Sequence, residues 1–283
     1  MSQAANLLFF WDYDTQWGAD RSRTPGGAKA WGYLEFENTD RLLDLHAQYD
    51  IKACFAVVGA AALPGEHPYH DPQQIKRIYT AGHEIASHSF KHEWLPALNP
   101  DQLRGTLSES KETLERCIGA EVISFVPPFD MPMDYPQALS FNLTERREVR
   151  GKPRTDLFRL CEALRETGYQ FCRVNYRPFY IRLLEKLTKR RIGDRPSHLA
   201  HIAGLHTLRT NTPPGFGEIT LNLLEKFSSQ PGNIIVYGHP HHLSKASSPE
   251  SEAYLIPVFE KINQLRVEKG LQIKTPRDLI TGN

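Results

Sequence analysis

A chain of 283 residues with 40% hydrophobic and 24% charged residues has the composition of a soluble globule and the length for one α/β barrel or two smaller domains. A net charge of +1 excludes a generic polyanion binder, so no nucleic-acid partner is expected. The apolar run Leu7–Trp11 is too short for a secretory h-region and ends at Asp12, and no stretch approaches a transmembrane span, which points to a cytoplasmic protein. Cys54, Cys117, Cys161 and Cys172 lie in apolar-patterned stretches without a CxxC and read as reduced core thiols.

Asn6–Tyr13 is nearly continuously apolar, as a buried parallel strand would be. Its end carries Asp12 and Asp14, which point the same way in an extended chain and are costly there without partners. Thr15–Gly32, with Trp17, Trp31, Arg21 and Arg23, reads as a long loop that could wall a pocket. A helix at Asn38–Tyr49, capped by Asn38 or Thr39, is followed by a strand at Ile51–Gly59 and a helix at Asp71–Thr80. The next strand, His83–Ser87, runs into His88-Ser89-Phe90-Lys91-His92. Two histidines four apart stack one above the other if the strand turns into a helix there, offering two imidazoles to one metal ion.

A helix from Pro100 to Ile118 and a strand at Glu121–Phe125 lead to Val126-Pro127-Pro128-Phe129 and then to an irregular Met131–Lys152. Helices at Thr155–Thr167, Pro178–Arg191, Glu218–Ser228 and Glu252–Lys269 alternate with strands at Tyr169–Asn175, around Ala203–Leu208, at Asn233–Gly238 and at Leu271–Lys274. The strand at Asn233–Gly238 delivers His239, with His241 and His242 just beyond it. Such alternation calls for parallel strands joined by right-handed crossovers. No glycine-rich phosphate fingerprint follows the first strand, which disfavours a dinucleotide-binding sheet and leaves a barrel. In a barrel, chemistry sits at the C-terminal strand ends, where Asp12, Asp14, His88, His92, Phe129 and His239 all fall. No boundary divides residues 1–283, so one domain is expected.

With these residues lined up, the chain resembles the polysaccharide deacetylase (NodB-like, carbohydrate esterase family 4) superfamily from about residue 6 to residue 279. Asp12 and Asp14 look like its first motif in the form with one intervening residue, and His88-Ser89-Phe90-Lys91-His92 like its His-Ser/Thr-x-x-His. Val126-Pro127-Pro128-Phe129 is similar to Arg-x-Pro-aromatic, and Tyr237-Gly238-His239 to its last motif, a strand ending in histidine. Two positions depart from the pattern. Val126 stands where the family has the arginine that orients the catalytic carboxylate, a task that would fall to Arg173 or Arg23. The acidic, Trp-containing fourth motif that supports the catalytic histidine has no match in Tyr169–Arg177.

The resemblance implies a distorted (β/α) barrel of about seven parallel strands. It also implies a metal site of Asp14, His88 and His92 for Zn²⁺ or another divalent ion such as Co²⁺, Ni²⁺ or Fe²⁺. Asp12 would be the general base, His239 the acid that protonates the leaving amine, and the backbone N–H of Phe129 an oxyanion donor. The expected substrate is a cytoplasmic N-acyl amino sugar, nucleotide sugar or glycan precursor. Hydrolysis of a cyclic amide or ureide in a small pocket lined by Trp17, Trp31 and Phe129 is the alternative within the superfamily, and a non-catalytic glycan- or metal-binding protein the alternative outside enzymology. Oligomeric state is left open.

Overall fold

A computed structural model describes residues 5–22, 30–132, 154–175 and 195–282. Its first strand, β1 (Ala5–Tyr13), is buried on both faces, which is why its sequence is a continuous apolar run. Leu7, Phe9, Trp11 and Tyr13 join the core shared with the helices, whereas Leu8 and Phe10 join an inner cluster drawn mainly from strands. That inner cluster includes Cys54 and Ala56 of β2 (Cys54–Val57), Ala86 of β3 (Glu84–Ser87) and Val126, which follows β4 (Ser124–Phe125). It continues through Phe171 of β5 (Phe171–Val174) and fills the interior of the curled sheet.

Strand order is β6-β7-β5-β4-β3-β2-β1-β8, where β6 is Ala200–Ile202, β7 Leu205–Arg209 and β8 Gly232–Gly238; β9 (Gln272–Ile273) pairs with β1. All pairings are parallel except β6 with β7, so seven parallel strands run from β7 to β8. The single strand expected around Ala203–Leu208 is instead a hairpin. Ala203 (φ 51°) and Gly204 (φ 81°) form its two-residue turn, both left-handed as such turns require. The sheet closes only in part. Ser197 and Asn233 exchange both backbone hydrogen bonds at 2.8 Å. Asn211 then accepts from the Ile235 N–H and donates to the Asn233 carbonyl, so side chains cover the open edge of β8. The result is a distorted barrel, as the sequence led us to expect.

The helices are α1 (Thr15–Arg21), α2 (Gly32–Tyr49), α3 (Pro72–Thr80), α4 (Pro100–Ile118), α5 (Leu157–Glu166), α6 (Glu218–Phe227), α7 (Glu252–Lys269) and α8 (Pro276–Thr281). Asp71 caps α3 through the Gln74 N–H, and Asn99 and Gln102 form a capping box on α4. The start of the chain differs from expectation. Thr15–Arg21 is helical, and α2 begins six residues before Asn38. Asn38 and Thr39 are not caps: Asn38 donates to the Pro240 carbonyl, and Thr39 to the Glu35 carbonyl within the helix. The helix expected at Pro178–Arg191 and most of Met131–Lys152 lie outside the described residues. Cys54, Cys161 and Cys172 are buried free thiols, while Cys117 is only half-buried. No described helix is long and apolar enough to cross a membrane.

His46 of α2 is structural. Trp11 Nε1 donates to its Nε2 at 2.7 Å, and its Nδ1 meets the Ile51 carbonyl at 2.7 Å. Burial, with His83 beside it, lowers its pKa to about 3, so it stays neutral. At the other end of the core, β8 reaches the site through Gly238. A Cβ there would lie 2.6 Å from Phe216 Cζ and 3.2 Å from Trp11 Cζ3. Gly238→Ala is therefore expected to cost about 1–3 kcal/mol by overpacking, read from urea unfolding; an unchanged midpoint would mean that Phe216 gives way freely.

Candidate active site

The loops that leave β1, β3 and β4 turn sharply. Thr15, Ser89, His92, Phe129 and Asp130 all hold left-handed φ between 54° and 62° without being glycine. Each such residue costs on the order of 1–3 kcal/mol, and such strain concentrates at functional sites. It replaces the helical turn expected at His88–His92, where no helix forms. The two imidazoles meet because the chain doubles back through Ser89 and His92.

His88, His92 and Asp14 are all buried, and their ligand atoms lie within 4.8 Å of one another. Asp14 Oδ1 is 3.3 Å from His88 Nε2 and 3.4 Å from His92 Nε2, yet it has no hydrogen-bond partner. Bonds of about 2.0–2.1 Å in a tetrahedron set ligand atoms roughly 3.3–3.4 Å apart. The donor set and its spacing thus fit a divalent cation. His88 Nδ1 lies 2.7 Å from the Val126 carbonyl and donates to it, leaving the Nε2 lone pair free for a metal. His92 Nδ1 has no hydrogen-bond partner.

Asp12 shares the inner face of β1 with Leu8 and Phe10. Arg173, from the inner face of β5, grips it with two bonds, Nη1 to Oδ1 at 2.9 Å and Nη2 to Oδ2 at 2.7 Å. The guanidinium is 1% exposed and lies 5.2 Å from the Phe10 ring centroid and 4.5 Å from that of Tyr237. It also reaches Asp130 at 3.2 Å. Burial alone would raise the Asp12 pKa, but the charge of Arg173, aided by His88 and His239, brings it below the usual carboxylate range. Of the two arginines considered for this task, Arg173 holds Asp12, while Arg23 lies outside the described residues.

His239 follows β8. Glu250 accepts both its backbone N–H at 2.6 Å and its ring Nδ1–H at 2.9 Å. Burial opposes a charged ring, but Glu250, with Asp14 and Asp12, outweighs it and holds the His239 pKa well above the usual imidazole range. Glu250 escaped the sequence reading because it lies eleven residues beyond His239 rather than in the segment where a supporting acid was sought. Glu35 also escaped it. Fully buried on α2, it accepts the Thr15 N–H at 2.8 Å, and burial followed by the charge of Asp14 raises its pKa well above normal.

Asp12, Asp14, His88, His92, Phe129 and His239 all line one cavity of about 340 Å³, with Trp31, Asp130, Tyr237, His241, His242 and Glu250 among its other walls. Trp31 stacks on His241 at 4.3 Å. His242 engages Ser248 at 3.0 Å, and burial lowers its pKa to about 4. Trp17 is not part of the lining; it packs on Tyr69 at 5.0 Å and under the Lys91 ammonium.

The family model for polysaccharide deacetylases matches residues 31–136, which takes in His88, His92 and Phe129 but not Asp12, Asp14 or His239. The peptidoglycan-N-acetylglucosamine deacetylase of Bacillus cereus is 30% identical over 95 residues, 34% of this chain and 32% of that protein. The match thus spans about a third of that relative's length. Among solved structures, a Mycobacterium smegmatis protein assigned to the polysaccharide deacetylases superposes with a TM-score of 0.65 at 16% identity, covering 100% of this chain and 91% of its own. A CE4 family pseudoenzyme from Bacillus anthracis gives 0.54 at 13% identity, covering 99% of this chain and 66% of its own. These two likenesses are of fold.

Arg173→Met leaves Asp12 buried without its cation. We expect a loss of about 3–5 kcal/mol in urea unfolding at pH 7. Arg173 holds the folded pKa of Asp12 below its unfolded value, so this stabilisation is present above the unfolded carboxylate range and is lost as pH falls through the folded pKa. The gap between variant and wild type should therefore narrow in acid; a gap independent of pH would contradict the ion pair as its source.

Proposed function

We propose that this chain, which belongs to the NodB-like polysaccharide deacetylase superfamily, is a divalent-metal-dependent hydrolase that removes an N-acyl group from an amino sugar or glycan precursor. The observation that carries the reading is the opposed charge of two groups on one cavity. Asp12 is kept an anion by Arg173, and His239 is kept a cation by Glu250, beside Asp14, His88 and His92. A hydrolase needs that separation of base from acid.

Asp14 and the Nε2 atoms of His88 and His92 would hold the metal, with Zn²⁺ the first choice and Co²⁺, Ni²⁺ or Fe²⁺ compatible with the same donors. An ion held there would supply Lewis acidity. Asp12 takes the proton from the attacking water as its oxygen adds to the acyl carbon. The backbone N–H of Phe129 donates to the acyl oxygen while negative charge builds there. His239, fixed by Glu250 through Nδ1, gives the proton on Nε2 to the departing nitrogen as the C–N bond breaks, yielding a carboxylate and a free amine. A protein that only binds glycans has no need of this base and acid. Of the three residues that the cyclic-amide alternative called for, Trp31 and Phe129 line the cavity and Trp17 does not.

The test is acetate release from N-acetylglucosamine oligomers by zinc- or cobalt-loaded protein. Asp12→Asn and His239→Ala should each lower kcat by about 10²–10⁴-fold while keeping the metal. Wild-type rates in either variant would remove that residue from the mechanism. Activity needs His239 protonated, so the alkaline limb of the pH profile lies above the usual imidazole range. Glu250→Gln removes the charge that holds the His239 proton, so the alkaline limb should move to lower pH; an unmoved limb would separate Glu250 from that proton.

A further inference from the structure

One carboxylate in the cavity has no task in this chemistry. Asp130 follows Phe129 at φ 54°, the second of two consecutive left-handed residues, and this turn sets its side chain in the cavity wall. Its Oδ1 accepts from Arg173 Nη2 at 3.2 Å, and its Oδ2 has Asn175 Nδ2 at 3.2 Å and the Tyr237 hydroxyl at 3.4 Å. Every one of these contacts is longer than the two bonds by which the same guanidinium holds Asp12, at 2.9 and 2.7 Å. One cation thus serves two carboxylates and is committed mainly to Asp12. Three of a carboxylate's roughly four lone-pair sites are thus taken, and the one that remains is on Oδ1. Its side chain remains 17% exposed.

We propose that Asp130 is a substrate-binding residue that accepts a hydrogen bond from one hydroxyl group of the sugar ring bearing the N-acyl group. This rests on the amino-sugar reading above and narrows it. A carboxylate only accepts, and a sugar hydroxyl is a donor that can take the site left on Oδ1. A phosphate or a carboxylate in place of that hydroxyl would meet like charge at Asp130. Arg173 gains a second role, because the cation that orients the base also holds the sugar-binding carboxylate in place.

Calorimetric titration tests this with the methyl glycoside of N-acetylglucosamine and its 3-, 4- and 6-deoxy forms as probes. They are titrated into zinc-loaded wild type, Asp130→Asn and Asp130→Ala. The Ala variant should bind the parent glycoside about tenfold more weakly, and the Asn variant, which keeps one oxygen acceptor, should recover part of the loss. One deoxy sugar should lose a similar factor in the wild type and lose nothing further in Asp130→Ala, because its missing hydroxyl is the partner already removed. The proposal is overturned if the wild type and both variants bind the parent alike, or if every deoxy sugar loses as much in Asp130→Ala as in the wild type. Coupling to one hydroxyl without N-acyl hydrolysis by the wild type would retire the hydrolase reading and leave the Asp130 contact standing.

Discussion

A buried carboxylate oxygen without a hydrogen bond is the constraint around which this molecule is arranged. Asp14 Oδ1 lies between two imidazole nitrogens at 3.3 and 3.4 Å and bonds to neither. Left alone, such a group is expensive to bury. The chain nevertheless brings it there through strained backbone after three strands and turns the second nitrogen of His88 onto the Val126 carbonyl. This is a structure that withholds hydrogen bonds from three donor atoms so that they remain available to a cation.

The two groups flanking that centre are each supported by a residue distant along the chain, Arg173, which the sequence offered, and Glu250, which it did not. The superfamily pattern puts an arginine at the position of Val126, whereas here the cation comes from β5 and reaches Asp12 across the barrel interior, between the rings of Phe10 and Tyr237. Val126 then serves as an inner-core residue and lends only its carbonyl to His88. The acid that steadies His239 likewise comes from Glu250, just ahead of α7. In both cases the charge comes from a residue far along the chain from the group it holds. A guanidinium or carboxylate can act on a fixed point from any strand end that faces it, provided the path is buried enough to keep the interaction strong.

What could be read in the sequence follows the same logic. The strands β1 and β8 were legible because burial on both faces leaves an unbroken apolar run, and α3 and α4 because Asp71, Asn99 and Pro100 mark their starts. The parallel pairing of the strands followed from alternation of elements. Local patterns misled where tertiary partners claimed the side chains. Asn38 looked like a cap but is spent on the Pro240 carbonyl, and the hairpin at Ala203-Gly204 was hidden within what read as one apolar strand. That Asp12, Asp14, His88, His92, Phe129 and His239 share one cavity was legible because each lies at or shortly beyond the C-terminal end of a strand. Glu250, Glu35 and Asp130 were not, since nothing local distinguishes a carboxylate that will face a cavity from one that will face water.

The most direct test of the account is metal content by elemental analysis of the purified protein, wild type against His88→Ala, each after supply of Zn²⁺ and removal of excess. The account predicts about one divalent ion per chain in the wild type and its loss in the variant, with a matching rise in thermal stability on zinc addition for the wild type alone. A wild type that takes up no metal, or a His88→Ala variant that retains it fully, would contradict the assignment of Asp14, His88 and His92 as the centre of the site.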